Sequence, residues 1–110
     1  MSLGYKEMEA EITQAESDFI KEDDGKPMVS LVEPQFILGV AKTMTFGAEK
    51  YGINNWQKCG DIRRYKDALL RHTLAFMDGE ITDPDTGLSH MYHAGFNAMA
   101  IDYLTRQGMS

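Results

Sequence analysis

Apolar positions recur at steps of three and four in several stretches of the chain, the spacing of amphipathic helices. Pro34 suits a first helical turn, and Phe36, Ile37, Val40, Ala41, Met44, Ala48 and Tyr51 then follow at that spacing. They predict a helix to about Lys50, with Gly52 as its stop and Ile53-Asn54-Asn55-Trp56 as a loop. Asp61 is placed to cap the next helix, whose stripe of Tyr65, Ala68, Leu69, His72, Ala75 and Phe76 runs to Asp78-Gly79. Leu70, Leu74 and Met77 lie on another side of that helix, so a bundle core or a dimer contact is expected there. Arg64, Asp67, Arg71 and Asp78 form its charged stripe, with Arg64 expected to pair with Asp67 on the surface. From Leu88 to about Gln107 the pattern is apolar nearly all round: Tyr92, Gly95, Met99 and Tyr103 face one way, and His90, His93, Asn97, Ile101 and Leu104 the other. Such a helix is buried. A weaker periodicity through Ile12 and Phe19 allows an amphipathic helix or an arm that orders against a partner. Val29-Ser30-Leu31-Val32 is too short to found a sheet. The expected fold is all-α, a bundle of about four helices completed by oligomerisation, with residues 1–24 as an acidic arm or helix and 25–110 as the helical domain.

A chain of 110 residues has room for one compact domain and a modest core. Its net charge of −6 argues against stable binding to a nucleic-acid backbone but leaves room for small anionic ligands. A single cysteine, Cys59, forms no internal disulfide, and no apolar run is long enough for a membrane span or a signal peptide. A cytoplasmic setting is expected. Met44, Met77, Met91 and Met99 fall within the predicted helices, where flexible thioethers fill irregular gaps in a core.

The chain has three histidines, His72, His90 and His93, and each sits on an apolar helix stripe. A buried imbalance of donors and acceptors costs about 1–3 kcal/mol, so each imidazole needs a partner. A backbone carbonyl or a tyrosine would satisfy His72. However, His90 and His93 share a helix face, as paired ligands do in metal-binding bundles, and a helical hairpin would bring all three rings together. The acidic loop between them, Asp78 to Gly87, offers Asp78, Glu80, Asp83 and Asp85 as hard oxygen donors. Its spacing is not that of an EF-hand, and Asp83-Pro84-Asp85-Thr86 also reads as a turn leading into a helix capped near Thr86. In the segment Gly47 to Trp56, Trp56 could stack a base beside the Asn54 and Asn55 amides, or serve as a packing anchor. Lys50 and Arg71 could neutralise a polyphosphate. Glycine-rich phosphate loops, paired-cysteine zinc motifs and a serine triad are absent.

Taken in order, Phe46-Gly47-Ala48-x-Lys50-Tyr51-Gly52-x-x-Asn55-Trp56, Arg71-His72 and Gly79-Glu80-x-x-Asp83-x-x-Thr86-Gly87-x-x-His90-x-x-His93-x-x-x-Asn97 resemble the phage-associated dATP/dGTP diphosphohydrolase N-terminal domain over roughly residues 25–105. That family is regarded as a distant relative of the all-α, MazG-like nucleoside triphosphate pyrophosphohydrolases. The resemblance implies a helical homodimer or homotetramer in a phage or its bacterial host. It also implies metal-dependent hydrolysis of dATP or dGTP to monophosphate and pyrophosphate. The acidic metal motifs of the wider group are replaced here by Arg71-His72 and His90-x-x-His93, which shifts the expected cation from magnesium towards cobalt, manganese, nickel or zinc. On this reading His72, His90, His93 and Asp83 or Glu80 hold the cation, and Glu80 is the general base if it is not a ligand. Lys50 and Arg71 hold phosphates, and Asn55, Trp56 and Asn97 recognise the nucleoside. The rival expectations are a nucleotide-binding module that does not hydrolyse, a helical assembly protein with structural histidines, and a mononuclear zinc hydrolase.

Overall fold

The computed structural model describes residues 20–110. The first expected helix, through Ile12 and Phe19, lies outside the described residues. Three α-helices make up the rest: α1 (Pro34–Tyr51), α2 (Arg63–Met77) and α3 (His90–Arg106). Short 3-10 turns occupy Val29–Leu31 and Asn55–Lys58. Among the described residues the only β-type pairing is one isolated bridge, Thr82 with Ser89. No described helix is long and apolar enough to cross a membrane.

Local chemistry explains where each helix starts and stops. Pro34 opens α1, and the Glu33 carboxylate accepts hydrogen bonds from the amides of Gln35 (3.1 Å) and Phe36 (2.7 Å), satisfying donors that a helix start leaves unpaired. Gly52 ends α1 at φ 98°, in the left-handed region that favours glycine. Asp61 accepts from the Arg63 amide at 3.1 Å and so caps α2, as its position in the sequence suggests. The cap of α3 is Ser89, whose hydroxyl accepts from the Met91 amide at 3.1 Å, rather than a residue near Thr86. The helix starts late because the Asp78–Ser89 loop holds its own bonds: Asp83 amide to Leu88 carbonyl, Gly87 amide to Asp83 carbonyl and His90 amide to Ile81 carbonyl, at 2.8, 2.8 and 2.9 Å.

Helix α3 is the centre of the fold. It packs most extensively on α2, forming a hairpin, and crosses α1 on its other side. Glycines make the second contact close. A Cβ on Gly39 would collide with the Tyr92 ring, and one on Gly95 would lie 2.8 Å from Phe36. Phe36 and Tyr92 meet edge to face, with ring centroids 5.9 Å apart. The predicted burial of this helix is observed: His90, His93, Ala94, Asn97, Ala100 and Leu104 are all buried.

The apolar core around it is thin. Among the described residues only Ile62, Ala94, Ala100 and Leu104 are buried hydrophobics. Leu70, Leu74 and Met77 form an exposed stripe along α2, and Ile37 and Leu38 are exposed on α1. Met77, at 77% exposure, therefore fills no core among the described residues, whereas Met44, Met91 and Met99 are half-buried.

Candidate metal and nucleotide site

The hairpin brings the histidines together where α2 meets α3 and the intervening loop. His72 stacks on His93, with ring centroids 4.4 Å apart and planes within 8°, and His90 lies 5.1 Å from His72. The loop supplies Asp83 through a local turn. One carboxylate oxygen accepts from the Asp85 amide at 2.7 Å, an Asx turn, which leaves Oδ2 3.7 Å from His72 Nδ1 and 3.9 Å from His93 Nε2. Donor atoms of His72, Asp83 and His93 all lie within 4.8 Å of one another.

His90 stands behind this group. Its Nε2 contacts Glu80 Oε1 at 2.7 Å and its Nδ1 contacts His72 Nδ1 at 2.8 Å. An ionised carboxylate only accepts, so His90 Nε2 donates to Glu80, and His90 Nδ1 is left to accept from the Nδ1–H of His72. Glu80 thus orients His90, and His90 orients His72. The Thr86 hydroxyl bonds His93 Nε2 at 2.7 Å and also accepts from the Leu88 amide at 3.3 Å. Thr86, regarded in the sequence only as a cap, is a partner of a histidine instead.

Electrostatics at the cluster favour the forms that bind a cation. Burial holds His72 and His93 below the ordinary histidine value of 6.5, with the other imidazoles adding repulsion and Asp83 only partly opposing it. For Asp83, burial pushes upward, but the Asp85 and Thr86 amides and the two imidazoles outweigh it, so its carboxyl lies below its usual range. Neutral imidazoles beside an ionised carboxylate are what a divalent cation requires. The His72 Nδ1 near Asp83 carries the proton given to His90, and His93 Nε2 bonds the Thr86 hydroxyl, so either nitrogen would have to exchange that partner to take an ion. His72 and His93, stacked in parallel, would hold the cation together with Asp83. The donor set suits zinc, cobalt, nickel or manganese better than magnesium.

Beside this cluster lies an open cleft of about 820 Å³ between α1, the Asn55–Lys58 turn, α2 and α3. Arg71 and Asn97 line it, Arg71 next to His72 in sequence and Asn97 bonded through Nδ2 to the His93 carbonyl at 2.8 Å. Asn55 and Trp56 also line it. Trp56 is held edge-on against Phe96 and Tyr103, with centroids 6.0 and 5.0 Å away, and its Nε1 has no hydrogen-bond partner among the described residues. It is thus a packing anchor that also faces the cleft. Lys50 is not part of the lining; its ammonium sits 5.5 Å from the ring centroid of Tyr51. Arg64, expected to pair with Asp67, makes no such ion pair and lines the cleft, together with Lys58. Neither was singled out in the sequence as a ligand-binding residue. The signal available was the spacing of Arg64, Ala68 and Arg71, which puts all three on one helix face.

The family model described as "dATP/dGTP diphosphohydrolase, N-terminal" matches residues 17–110. A protein of Salmonella phage PMBT28 named dATP/dGTP diphosphohydrolase is 41% identical over 85 residues, covering 77% of this chain. The chain spans only 29% of the length of that relative. No solved structure matches. Residues 17–110 take in the whole histidine cluster and the cleft, and by that match the chain belongs to the dATP/dGTP diphosphohydrolase N-terminal domain family.

Proposed function

We propose that this chain hydrolyses purine deoxynucleoside triphosphates, dATP or dGTP, to the monophosphate and pyrophosphate in the cleft beside His72, Asp83 and His93. The observation that carries this reading is proximity: Arg71 and Asn97 line the cleft, Arg71 adjoins His72 in sequence and Asn97 bonds the His93 carbonyl, so the cleft lies beside the His72–Asp83–His93 group although none of the three lines it. The name of the phage relative supplies the substrate class. His72, Asp83 and His93 would hold a divalent cation, which lowers the pKa of water and neutralises charge developing on phosphate oxygens. Glu80 and His90 keep His72 in one orientation and tautomer. Glu80 has a second carboxylate oxygen on a half-exposed side chain, and it accepts the proton of the attacking water. Oxygen from water bonds to phosphorus, the bond to the bridging oxygen breaks, and pyrophosphate leaves. Asn55 and Trp56 bound the part of the cleft that takes the nucleoside. The exposed Leu70–Leu74–Met77 stripe is covered by a second copy in a homodimer or homotetramer.

Purified chain incubated with each deoxynucleoside triphosphate and with magnesium, manganese, cobalt, nickel or zinc in turn tests this reading, with products resolved by chromatography. Conversion of dATP or dGTP to monophosphate and pyrophosphate is expected, strongest with a transition metal. No consumption under any metal rejects catalysis, and nucleotide-dependent thermal stabilisation without turnover would identify a binding module.

A further inference from the structure

The cleft lining is unlike the rest of the chain in its charge. In a protein of net charge −6, the described residues that line it include three cations, Lys58, Arg64 and Arg71, and no aspartate or glutamate. Among the described residues none of the three makes an ion pair. Like charges gathered without counter-charges repel one another, and an anion bound among them offsets that repulsion. Their arrangement is also specific. Arg64, Ala68 and Arg71 follow at steps of four and three on one face of α2, about 10 Å from first to last. The short Ala68 side chain leaves a trough between the two guanidiniums. Arg71 adjoins His72, so the trough runs from Arg64 towards the histidine cluster. Lys58 enters from the 3-10 turn, which the Tyr65 hydroxyl ties to α2 by donating to the Trp56 carbonyl at 2.8 Å.

We propose that Lys58, Arg64 and Arg71 form a polyphosphate cradle with Arg64 as its anchor, so that the phosphate chain, more than the base, holds the ligand. Guanidinium groups suit this role because their fixed fork of donors matches phosphate oxygens. Equating this ligand with the triphosphate of a nucleotide substrate rests on the function proposed above; the cradle itself does not.

Inorganic tripolyphosphate and dATP, titrated separately while the fluorescence of Trp56 is followed, test the cradle; Trp56 is the only tryptophan and faces the cleft. Arg64→Gln should weaken both ligands at least about tenfold, the loss of one charge-assisted hydrogen bond, and Arg64→Lys should recover part of it. Arg63→Gln makes the same charge change on an exposed side chain outside the cleft, paired with Asp61 at 3.5 Å, and should stay within about twofold of the parent. Matched thermal melts show that each variant folds. Unchanged binding in Arg64→Gln, or an equal loss in Arg63→Gln, overturns the cradle. If dATP is hydrolysed by Arg64→Gln with unaltered KM, the cradle fails and the hydrolytic reading stands. If tripolyphosphate binding depends on Arg64 but no nucleotide is consumed, the cradle stands and hydrolysis fails.

Discussion

His72 and His93 resist protonation because they are buried beside each other, and this has a consequence with a definite sign. In the unfolded chain a histidine takes up a proton near pH 6.5, whereas in the fold both take it up only at lower pH. The unfolded state therefore binds more protons just below that value, and stability rises with pH through this range. The contribution is complete above about pH 6.5 and is lost as pH falls through the depressed folded values. Denaturation melts at several pH values should show this slope; Tm independent of pH between about 5 and 7 would contradict it. Asp83 divides its work between a turn and the imidazoles. Asp83→Asn keeps an oxygen able to accept from the Asp85 amide but removes the charge facing His72 and His93. Zinc or cobalt affinity, measured by calorimetry, should fall at least about tenfold while the melting temperature of the metal-free chain changes little. An unchanged affinity would remove Asp83 from the metal group.

Helix α3 owes its position to small residues as much as to apolar ones. Gly39 lies under the Tyr92 ring, so Gly39→Ala forces α1 and α3 apart and should cost about 1–3 kcal/mol. Gly47 is in the same helix with open space where its Cβ would be, and Gly47→Ala should instead stabilise by up to about 1 kcal/mol. Urea unfolding of the pair checks both signs, and equal shifts would mean that the crossing is loose. Ser89→Ala removes the α3 cap and should cost about 1 kcal/mol by the same measurement. The ends of α1 and α2 were legible in Pro34, Gly52 and Asp61, because each acts on backbone groups within a few residues of itself. The start of α3 was not, because Thr86 and Ser89 are equally plausible caps and the choice between them falls to bonds across the loop, such as His90 to Ile81.

At the scale of the whole molecule, a core of four buried apolar residues among those described is small beside the hydrophobic surface that the described residues leave in water. An assembly that covers the Leu70–Leu74–Met77 stripe would bury roughly 2 kcal/mol for each large side chain. Leu74→Glu, placed where Leu74 is 64% exposed, should leave the isolated fold intact yet convert the assembly to monomer in light scattering. A parent chain that is already monomeric at micromolar concentration would dispose of that arrangement. From its sequence alone this protein had its helical class, the extents of α1 and α2, the burial of α3 and the hairpin that joins the histidines, since helix periodicity and capping depend on residues three or four apart. Tertiary structure decided that Asp83 faces His72 and His93 while His90 turns to Glu80, and that Arg64 and Lys58 enter the cleft while Lys50 stays outside. Those outcomes depend on how a turn in the loop and the crossing of separate helices aim side chains far apart in the chain, which no local spacing encodes.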